Sequence, residues 1–339
     1  MILSEKERCC LKAQLIFPRF AEERCMSTGY FSHPDCERHD VGNWHPECPA
    51  RLQAIDDQLI ASRIVNLVEH HHAPHATLAM VARNHSASAI ARLVDNLPAD
   101  EAAGCYPIDG DTLLNVHSLD AALAAAGAAV AATDAVMSGQ LKNAFCAIRP
   151  PGHHATPSTS MGFCLFNNVA IAAHHAMEVH GLQRIAIIDF DVHHGNGTQE
   201  AFKDDPRVLM ASFFQHPFYP YSDYTDSRPG LHNMVNVPLS AYSGGDAVRQ
   251  IVTEKWLPAL EAHQPQMIFI SAGFDAHRED DLGQMGLVEA DYAWLTRQIM
   301  EVAQQHAKGR IVSCLEGGYH LSALGRSVVA HLKALADID

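Results

Sequence analysis

The feature that most constrains this chain is a short apolar run that ends in a cluster of acids and histidines. Residues Ile185–Ile188 form an uninterrupted apolar segment, typical of a strand buried on both faces of a parallel sheet. Asp189, Asp191, His193 and His194 follow at once. Ligands of open α/β sheets bind where strands end, and charged side chains seldom lie beside a core unless they are paired or bind metal. We therefore interpret this segment as a metal site rather than as a polar loop.

The spacing within the cluster supports that interpretation. Residues two apart on an extended backbone share a face, so Asp189, Asp191 and His193 point one way while Phe190 and Val192 point the other. A carboxylate oxygen and an imidazole nitrogen at this spacing can bind the same ion.

Composition limits the architecture and the partners. The 339 residues, 47% of them hydrophobic, suit one large α/β domain, and no repeat or low-complexity linker divides them. Residues 1–25 carry no usable pattern, so we expect an N-terminal extension there, a candidate for disorder, and a single domain over residues 26–339. A net charge of −15 argues against nucleic acid or an anionic membrane as a partner.

The N-terminal pattern and the cysteines bear on where in the cell the protein is located. We expect no signal peptide, because residues 1–25 lack a clean apolar core with a small-residue cleavage site, and no run approaches membrane-spanning length. The nine cysteines are an odd set without a C-x-x-C pair, which predicts free thiols in a reducing compartment, and we expect the cytoplasm. Homo-oligomerisation stays open.

Further strand candidates alternate with helical segments, which predicts a parallel sheet in a three-layer α/β fold. The strand candidates are 144–148, 207–212, 234–237, 266–272 and 310–315. Helices are expected from Pro49 or Ala50, from a cap at Ser118 to about Met137, after a cap at Asn167 or Asn168, and over 246–260.

Reactive side chains follow three of these strands. His153 and His154 come soon after the first, and tandem histidines can reach two atoms of one reacting group. Asp275 follows the strand 266–272 and would be a third metal ligand. Tyr319 follows the strand 310–315, where a phenol could donate a hydrogen bond to a developing oxyanion.

Other polar segments carry weaker signals. The loop His39–Glu47 holds two histidines and two acids, and we favour a structural role for it. Residues 70–72 and His75 form a histidine cluster, but without helical spacing or an acidic partner we predict a solvated loop. Residues 98–112 read as a long loop of the kind that lines binding sites, with acids at Asp100, Glu101, Asp109 and Asp111.

Together these parts describe metal-assisted hydrolysis of an amide or ester. Three protein ligands leave one position of a zinc ion open, as in catalytic zinc sites, although iron or cobalt could use the same ligands. No serine or cysteine lies in a nucleophile motif. A non-catalytic metal-dependent binding protein remains an alternative. A two-metal ureohydrolase would need another acid near Asp275, where His277 and Arg278 stand instead.

Five segments together resemble the signature segments of zinc-dependent histone deacetylases. They are R-P-P-G-H-H-A, G-F-C-L-F-N-N, I-D-F-D-V-H-H-G-N-G-T-Q, S-A-G-F-D and L-E-G-G-Y. The match covers residues 27–335 and resembles the class II branch, with its bacterial histone deacetylase-like and acetylpolyamine amidohydrolases. It implies a single deacetylase catalytic domain with the arginase/deacetylase fold, an α/β fold of three layers around a central, mainly parallel eight-stranded sheet.

The resemblance also implies metal ligands. Zinc would be held by Asp191, His193 and Asp275. A structural potassium ion would use Asp189 and Asp191 with backbone oxygens of His193, Ser212 and Phe213, and a second potassium site would lie near Phe202 and Val208.

Roles in the reaction follow from the same resemblance. Asp189 would orient His153. The general base and acid would be His154, paired with Asn196, and Tyr319 would stabilise the oxyanion. The substrate would contact the carbonyl of Gly162, the channel walls Phe163 and Tyr219, and Leu282 in the loop after the third zinc ligand.

Two departures from the family pattern and one further substitution bear on which substrate the chain would accept. Phe213 and Phe214 stand where the family usually has a histidine, and residues 221–230 replace an expected glycine-rich rim. Leu282 stands where polyamine-specific relatives place a glutamate, which favours acetyl-lysine in a peptide or protein over an acetylpolyamine. The acids of residues 98–112 favour the opposite, because they could attract a cationic amine.

Overall fold

The computed structural model describes residues 27–222 and 232–338, and the predicted N-terminal extension lies outside them. The strands of the main sheet are β1 Thr28–Ser32, β2 Glu69–His72, β5 Asn143–Cys146, β6 Ile185–Asp189, β7 Val208–Gln215, β8 Met234–Leu239, β9 Met267–Ala272 and β10 Ile311–Leu315. A separate antiparallel pair joins β3 Tyr106–Pro107 to β4 Leu113–Leu114. Within the described ranges the main sheet has eight strands in the order β2-β1-β5-β10-β9-β6-β7-β8, and every neighbouring pair is parallel.

The four central strands bring the sequence motifs together. Every residue of β5, β10, β9 and β6 is buried, as expected where helices cover both faces of a parallel sheet. These strands are neighbours, so their carboxyl ends lie side by side at one edge of the sheet. The segments that carry the histidines, acids and tyrosine therefore begin at adjacent positions.

The helices cover this sheet. They are α1 Asp35–Arg38, α2 Ala50–Ala61, α3 Leu78–Val81, α4 Ala87–Asp95, α5 Ser118–Met137, α6 Asn168–Glu178, α7 Asn196–Phe202, α8 Gly245–Ile251, α9 Leu257–His263, α10 Glu289–His306 and α11 Leu321–Leu335. The side chain of Asn167 caps α6 by accepting from Ala170 N at 2.9 Å, as predicted. The predicted cap at Ser118 is one residue late, because His117 holds the cap position and Ser118 is already helical.

Helix α5 is packed into the core by its small side chains. It is long and apolar enough to cross a membrane by length and composition, so the statement that no run approaches that length was wrong. However, 67% of its apolar window is buried inside the protein. A Cβ at Gly127 would lie 1.9 Å from Pro74 O, so this close approach of chain segments requires glycine.

Two further expectations are corrected by the structure. Residues 70–72 are not a loop but part of the edge strand β2, which pairs with the buried strand β1 from Gly29 to Ser32. The helix predicted over 246–260 extends to His263 and contains the π-helical turn Val252–Trp256. The buried ring of Trp256 stacks on Phe213, with ring centroids 5.7 Å apart.

Candidate metal centre and active site

Three predicted metal ligands meet at the carboxyl edge of the sheet. The ligand atoms of Asp191, His193 and Asp275 all lie within 4.8 Å of one another. His193 Nδ1 is 3.0 Å from Asp191 Oδ1 and 3.2 Å from Asp275 Oδ2. One ring nitrogen thus faces two carboxylates, both fully buried. A shared cation satisfies all three groups, whereas a single ring proton cannot serve both acids equally.

The surrounding backbone leaves space at this cluster. A Cβ at Gly317 would lie 2.0 Å from Asp275 Oδ2, and one at Gly273 would lie 2.0 Å from Asp191 Oδ2. Asp275 Oδ1 accepts from Val192 N at 2.9 Å. Its Oδ2 is buried and accepts no well-aligned hydrogen bond among the described residues, despite its closeness to His193. A carboxylate oxygen without a full partner, in a glycine-lined space, fits a bound metal ion.

The charges of the cluster also fit a cation. Burial and the neighbouring charge of Asp191 raise the pKa of Asp275. Burial alone would lower the pKa of His193, but its bonds to the two carboxylates raise that pKa to about 10. Both shifts have the same physical cause, an excess of negative charge in a region shielded from water.

The tandem histidines have different partners. His153 Nδ1 lies 3.0 Å from Asp189 Oδ2, and His154 Nδ1 lies 2.8 Å from Asn196 Oδ1. Their ring centroids are 4.0 Å apart. Glu316, which sequence reasoning missed, accepts from the backbone N–H of His153 at 3.1 Å and so helps to fix the turn.

These partners push the two pKa values in opposite directions. Burial would lower the pKa of His153, but the carboxylates of Asp191 and Asp189 outweigh it and raise that pKa well above its usual range. Burial and the nearby His153 and His193 lower the pKa of His154 well below its usual range. His154 is therefore neutral near pH 7 and free to accept a proton.

Tyr319 lines the same space as a neutral phenol. Burial raises its pKa well above the usual range, although the Arg51 guanidinium, 4.9 Å from the ring centroid, acts in the opposite direction. The backbone N–H of Tyr319 donates to Asp280 Oδ2 at 2.6 Å, and Gly318 before it has φ of +119°. Asp280 was also missed, because nothing in its local sequence indicates this contact.

A buried charge network lies beneath Tyr319. Arg51 donates from Nε to Gly318 O at 2.7 Å and from Nη1 to Glu47 Oε1 at 3.0 Å. Arg149 also donates to both carboxylate oxygens of Glu47. Glu47 is fully buried, in agreement with the structural role expected for its loop. Sequence reasoning did not predict its two arginine partners.

A cavity of about 310 Å³ leads to these groups. The predicted contact residues Gly162, Phe163, Tyr219 and Leu282 all line it, together with His154, His193 and Tyr319. Asp111 and Asp281 line it as well; Asp111 comes from the loop flagged in the sequence, whereas Asp281 was not anticipated.

The turn on one side of this cavity is held by the loop that carries Asp111. Gly162 N donates to Asp111 Oδ1 at 3.1 Å, and Phe163 N donates to Thr112 Oγ1 at 3.0 Å. A Cβ at Gly162 would meet the Tyr219 hydroxyl at 2.9 Å, and the φ of Gly162 is +57°. Glycine therefore keeps this part of the channel open.

The predicted potassium sites receive mixed geometric support. In the first, Asp189 pairs in register with Ser212, next to the buried Phe213. In the second, the carbonyls of Phe202 and Val208 both accept from Asn233 Nδ2, at 2.9 and 3.1 Å. An amide group thus lies where those carbonyls converge. Both sites stay predictions.

Comparison with known proteins agrees with this geometry. A histone deacetylase domain matches residues 45–335. The protein slr0245 of Synechocystis is 39% identical over 88% of this chain and 96% of its own length. The histone deacetylase-like amidohydrolase of Pseudomonas aeruginosa is 34% identical over 93% of this chain and 86% of its own length.

A solved structure confirms the predicted fold. The crystal structure of the HDA15 HD domain superposes with a TM-score of 0.85 at 31% identity, covering 92% of this chain and 89% of that chain. The resemblance found in the signature segments and the expected eight-stranded parallel sheet are both confirmed. The chain belongs to the histone deacetylase family and is a hydrolase of the deacetylase and amidohydrolase type.

Proposed function

We propose that this protein is a zinc-dependent deacetylase that removes acetyl groups from N-acetylated amines, chiefly acetyl-lysine side chains. The observation that carries the proposal is the meeting of Asp191, His193 and Asp275 beside a neutral His154 at the end of one cavity. The first three would hold zinc. When bound there, the ion would polarise the substrate carbonyl and make a water molecule more acidic.

His154 is the residue placed to move protons. Its Nδ1 faces Asn196 Oδ1 at 2.8 Å, an acceptor, so the ring hydrogen belongs on Nδ1 and the lone pair on Nε2. Nε2 would accept a proton from the attacking water and later return it to the departing amine. His153, tied to Asp189, would stay charged and help to keep His154 neutral.

Tyr319 supplies the electrophilic assistance. A neutral phenol donates rather than accepts, and Arg51 and Asp280 hold the backbone around it. It would donate to the oxyanion that forms when water adds to the carbonyl. Removing one such donor typically costs about 10²–10³ in kcat.

The cavity walls favour a linear acyl-lysine side chain. Phe163 and Tyr319 meet edge-on at 5.8 Å, and Tyr219 stands on the other side, edge-on to His154 at 5.1 Å. Aromatic walls accommodate the apolar methylene chain of lysine, and the carbonyl of Gly162 would accept the substrate amide N–H. Leu282 at the rim offers no charge to a second amine.

A second candidate substrate is an acetylpolyamine, because two acids line the same cavity. Asp281 is exposed beside Leu282, and Asp111 lies next to the Gly162 turn. A free ammonium group at the far end of a short substrate could approach either carboxylate. Exposed ion pairs of this kind contribute about 0.2–1 kcal/mol of stabilisation. They would therefore shift the preference between the two substrates without determining it.

The test is a paired turnover assay with zinc-loaded protein, an acetyl-lysine peptide and N-acetylputrescine. A higher kcat/KM for the peptide supports the first candidate, and a higher value for the polyamine supports the second. Asp281→Asn should lower only the polyamine value, by about two- to fivefold. Asp57→Asn, an exposed acid on α2, is the matched control. No turnover of either substrate would favour a non-catalytic binding protein, and full activity in Asp191→Ala would refute the metal assignment.

The proposal also includes a structural potassium ion near the zinc ligands and a cytoplasmic location. Asp189 and Asp191 are adjacent buried carboxylates that could share a structural potassium ion, and the β6–β7 pairing brings Ser212 beside them.

A cytoplasmic location is supported by the free thiols in the described part of the chain, namely Cys36, Cys48, Cys105, Cys146, Cys164 and Cys314.

A further inference from the structure

A second group of metal-binding side chains lies at the same edge of the sheet, beyond β5. His33 directly follows β1, and His72 ends the neighbouring strand β2, with Ser32 and His72 paired in register. Asp35 opens helix α1, and His75 follows β2 after Pro74. Parallel strands thus deliver side chains from two separate segments to one place, as they do at the active site.

The distances bring these groups within reach of a single ion. Asp35 Oδ2 is 2.8 Å from His75 Nε2 and 3.6 Å from His33 Nδ1. His33 Nδ1 also accepts a hydrogen bond from Asp35 N at 3.0 Å, which a bound ion would replace. The ligand atoms of these three residues all lie within 4.8 Å of one another. The ring of His33 is 4.5 Å from that of His72 and 4.7 Å from that of His75, measured between centroids. Two imidazoles, those of His33 and His75, therefore flank one carboxylate, and the ring of His72 packs beside His33.

From this geometry we propose that His33, Asp35 and His75 form a second metal site, which binds a divalent transition-metal ion such as Zn²⁺. The donor set has two imidazole nitrogens and one carboxylate oxygen. Imidazole nitrogen suits zinc, copper, nickel and iron, whereas magnesium and calcium prefer oxygen ligands. With three protein ligands, water would complete the coordination of the ion.

Arg38 does not block the proposed site. Its Nη1 contacts Asp35 Oδ1 at 3.2 Å and leaves Oδ2, the oxygen that faces the histidines. In another cluster of one acid and two histidines, by contrast, an arginine contacts one of the ring nitrogens that a metal ion would need. There His175 and His180 both contact Asp134 Oδ1 at 2.7 Å, and Arg83 Nη1 lies 2.8 Å from the remaining nitrogen of His175. A guanidinium in that position repels a cation.

The structure also removes the objection raised by the sequence alone. The one acid close to the histidines of residues 70–75 in the chain is Glu69, which contacts His71 at 3.2 Å and takes no part in the proposed site, and the sequence alone led to the prediction of a solvated loop. Their acidic partner, Asp35, precedes them by almost forty residues and arrives through the β1–β2 pairing. The side chain of His33 is only 12% exposed, so the site is sheltered on one side.

The test measures bound zinc per chain in tag-free protein that has been stripped with a chelator, reloaded and desalted. We expect two equivalents in the unaltered chain and one in Asp191→Ala. Adding His75→Ala or His33→Ala to Asp191→Ala should remove the remaining equivalent. His70→Ala, a change of the same residue type in the nearby strand β2, is the matched control and should retain it.

Cobalt provides a spectroscopic measurement of the same site. Co²⁺ added to Asp191→Ala should give a visible d–d absorption band that disappears with His33→Ala. His75→Ala alone should lose one zinc and keep its turnover of the acetylated substrate. The proposal is overturned if Asp191→Ala binds no zinc, or if the His33 and His75 variants keep as much zinc as the His70 control. Failure of the catalytic proposal would appear differently, as unchanged zinc content in Asp191→Ala.

Discussion

Replacing Asn196 by aspartate should move the acidic limb of the pH–rate profile towards neutral pH. His154 is the proposed base, and its Nδ1 lies 2.8 Å from Asn196 Oδ1. Burial and the neighbouring histidines lower the pKa of His154 well below its usual value, so activity should persist below about pH 6.5 in the unaltered enzyme. Asn196→Asp places a full negative charge against the ring with almost no change in shape.

The size of the shift can be bounded from the distance. Two unit charges 2.8 Å apart interact by about 6 kcal/mol at an effective dielectric constant of about 20. This is an upper limit, since about 1.4 kcal/mol corresponds to one pKa unit and burial of the new carboxylate opposes the gain. Neighbouring opposite charges shift pKa values by about 1–3 units, and we expect the same range here.

The assay is kcat/KM against pH, from about pH 5 to 9, with an acetyl-lysine peptide. A base with a raised pKa is protonated at higher pH, so the activity of Asn196→Asp should fall on the acidic side before that of the unaltered enzyme. Asn196→Ala, which removes the acceptor without adding charge, should lower kcat without moving the limb upward. If the limb of Asn196→Asp stays in place or moves to lower pH, His154 is not the base that this profile reports.

Three further changes test other parts of the site. Tyr319→Phe should lower kcat about 10²–10³-fold with unchanged zinc content, and unaltered kcat would exclude the oxyanion role. Gly317→Ala places a Cβ 2.0 Å from Asp275 Oδ2 and should weaken zinc binding about 10–100-fold in a chelator competition, whereas Gly110→Ala, with open space, should not. Glu47→Gln should cost about 3–5 kcal/mol of unfolding free energy at pH 7, measured in urea. Burial would raise the pKa of Glu47, but its two arginines lower it to about 2. Its stabilisation is therefore full above about pH 4.5 and lost towards pH 2, and the variant should lack this acidic loss.

Local sequence patterns were enough to predict which candidate ligands lie together when those ligands follow buried strands. Asp191 and His193 lie two residues apart after a buried strand, and Asp275 follows another apolar run in the same manner. The rule that parallel strands end at one edge was then enough to bring them together. Strand β2 escaped prediction because an edge strand held by backbone pairing needs no apolar side chains, and three histidines show no such pattern.

Contacts between distant segments could not be predicted in this way. Glu47 and Arg149 are separated by about one hundred residues, and neither has a neighbour that indicates a buried ion pair. Asp281 reaches the cavity because Asp280 and Leu282 turn the chain there, with Leu282 N donating to Asp280 Oδ1 at 2.9 Å. Single-sequence patterns describe strand ends, but they contain no information on which loops meet above them.

The buried ion pairs beneath Tyr319 are better explained by their effect on the position of Tyr319 than by a contribution to the free energy of unfolding. Replacing a buried ion pair with apolar side chains of similar volume is often neutral or stabilising, so a gain in stability does not account for Glu47 and its arginines. Arg51, however, donates to the carbonyls of Glu316 and Gly318 at 2.5 and 2.7 Å, on both sides of the turn that carries Tyr319. Glu47 holds Arg51 in that position by accepting from its Nη1 at 3.0 Å. Through Arg51, Glu47 thus supports the turn that carries the phenol, and loss of Glu47 should reduce kcat even in molecules that remain folded.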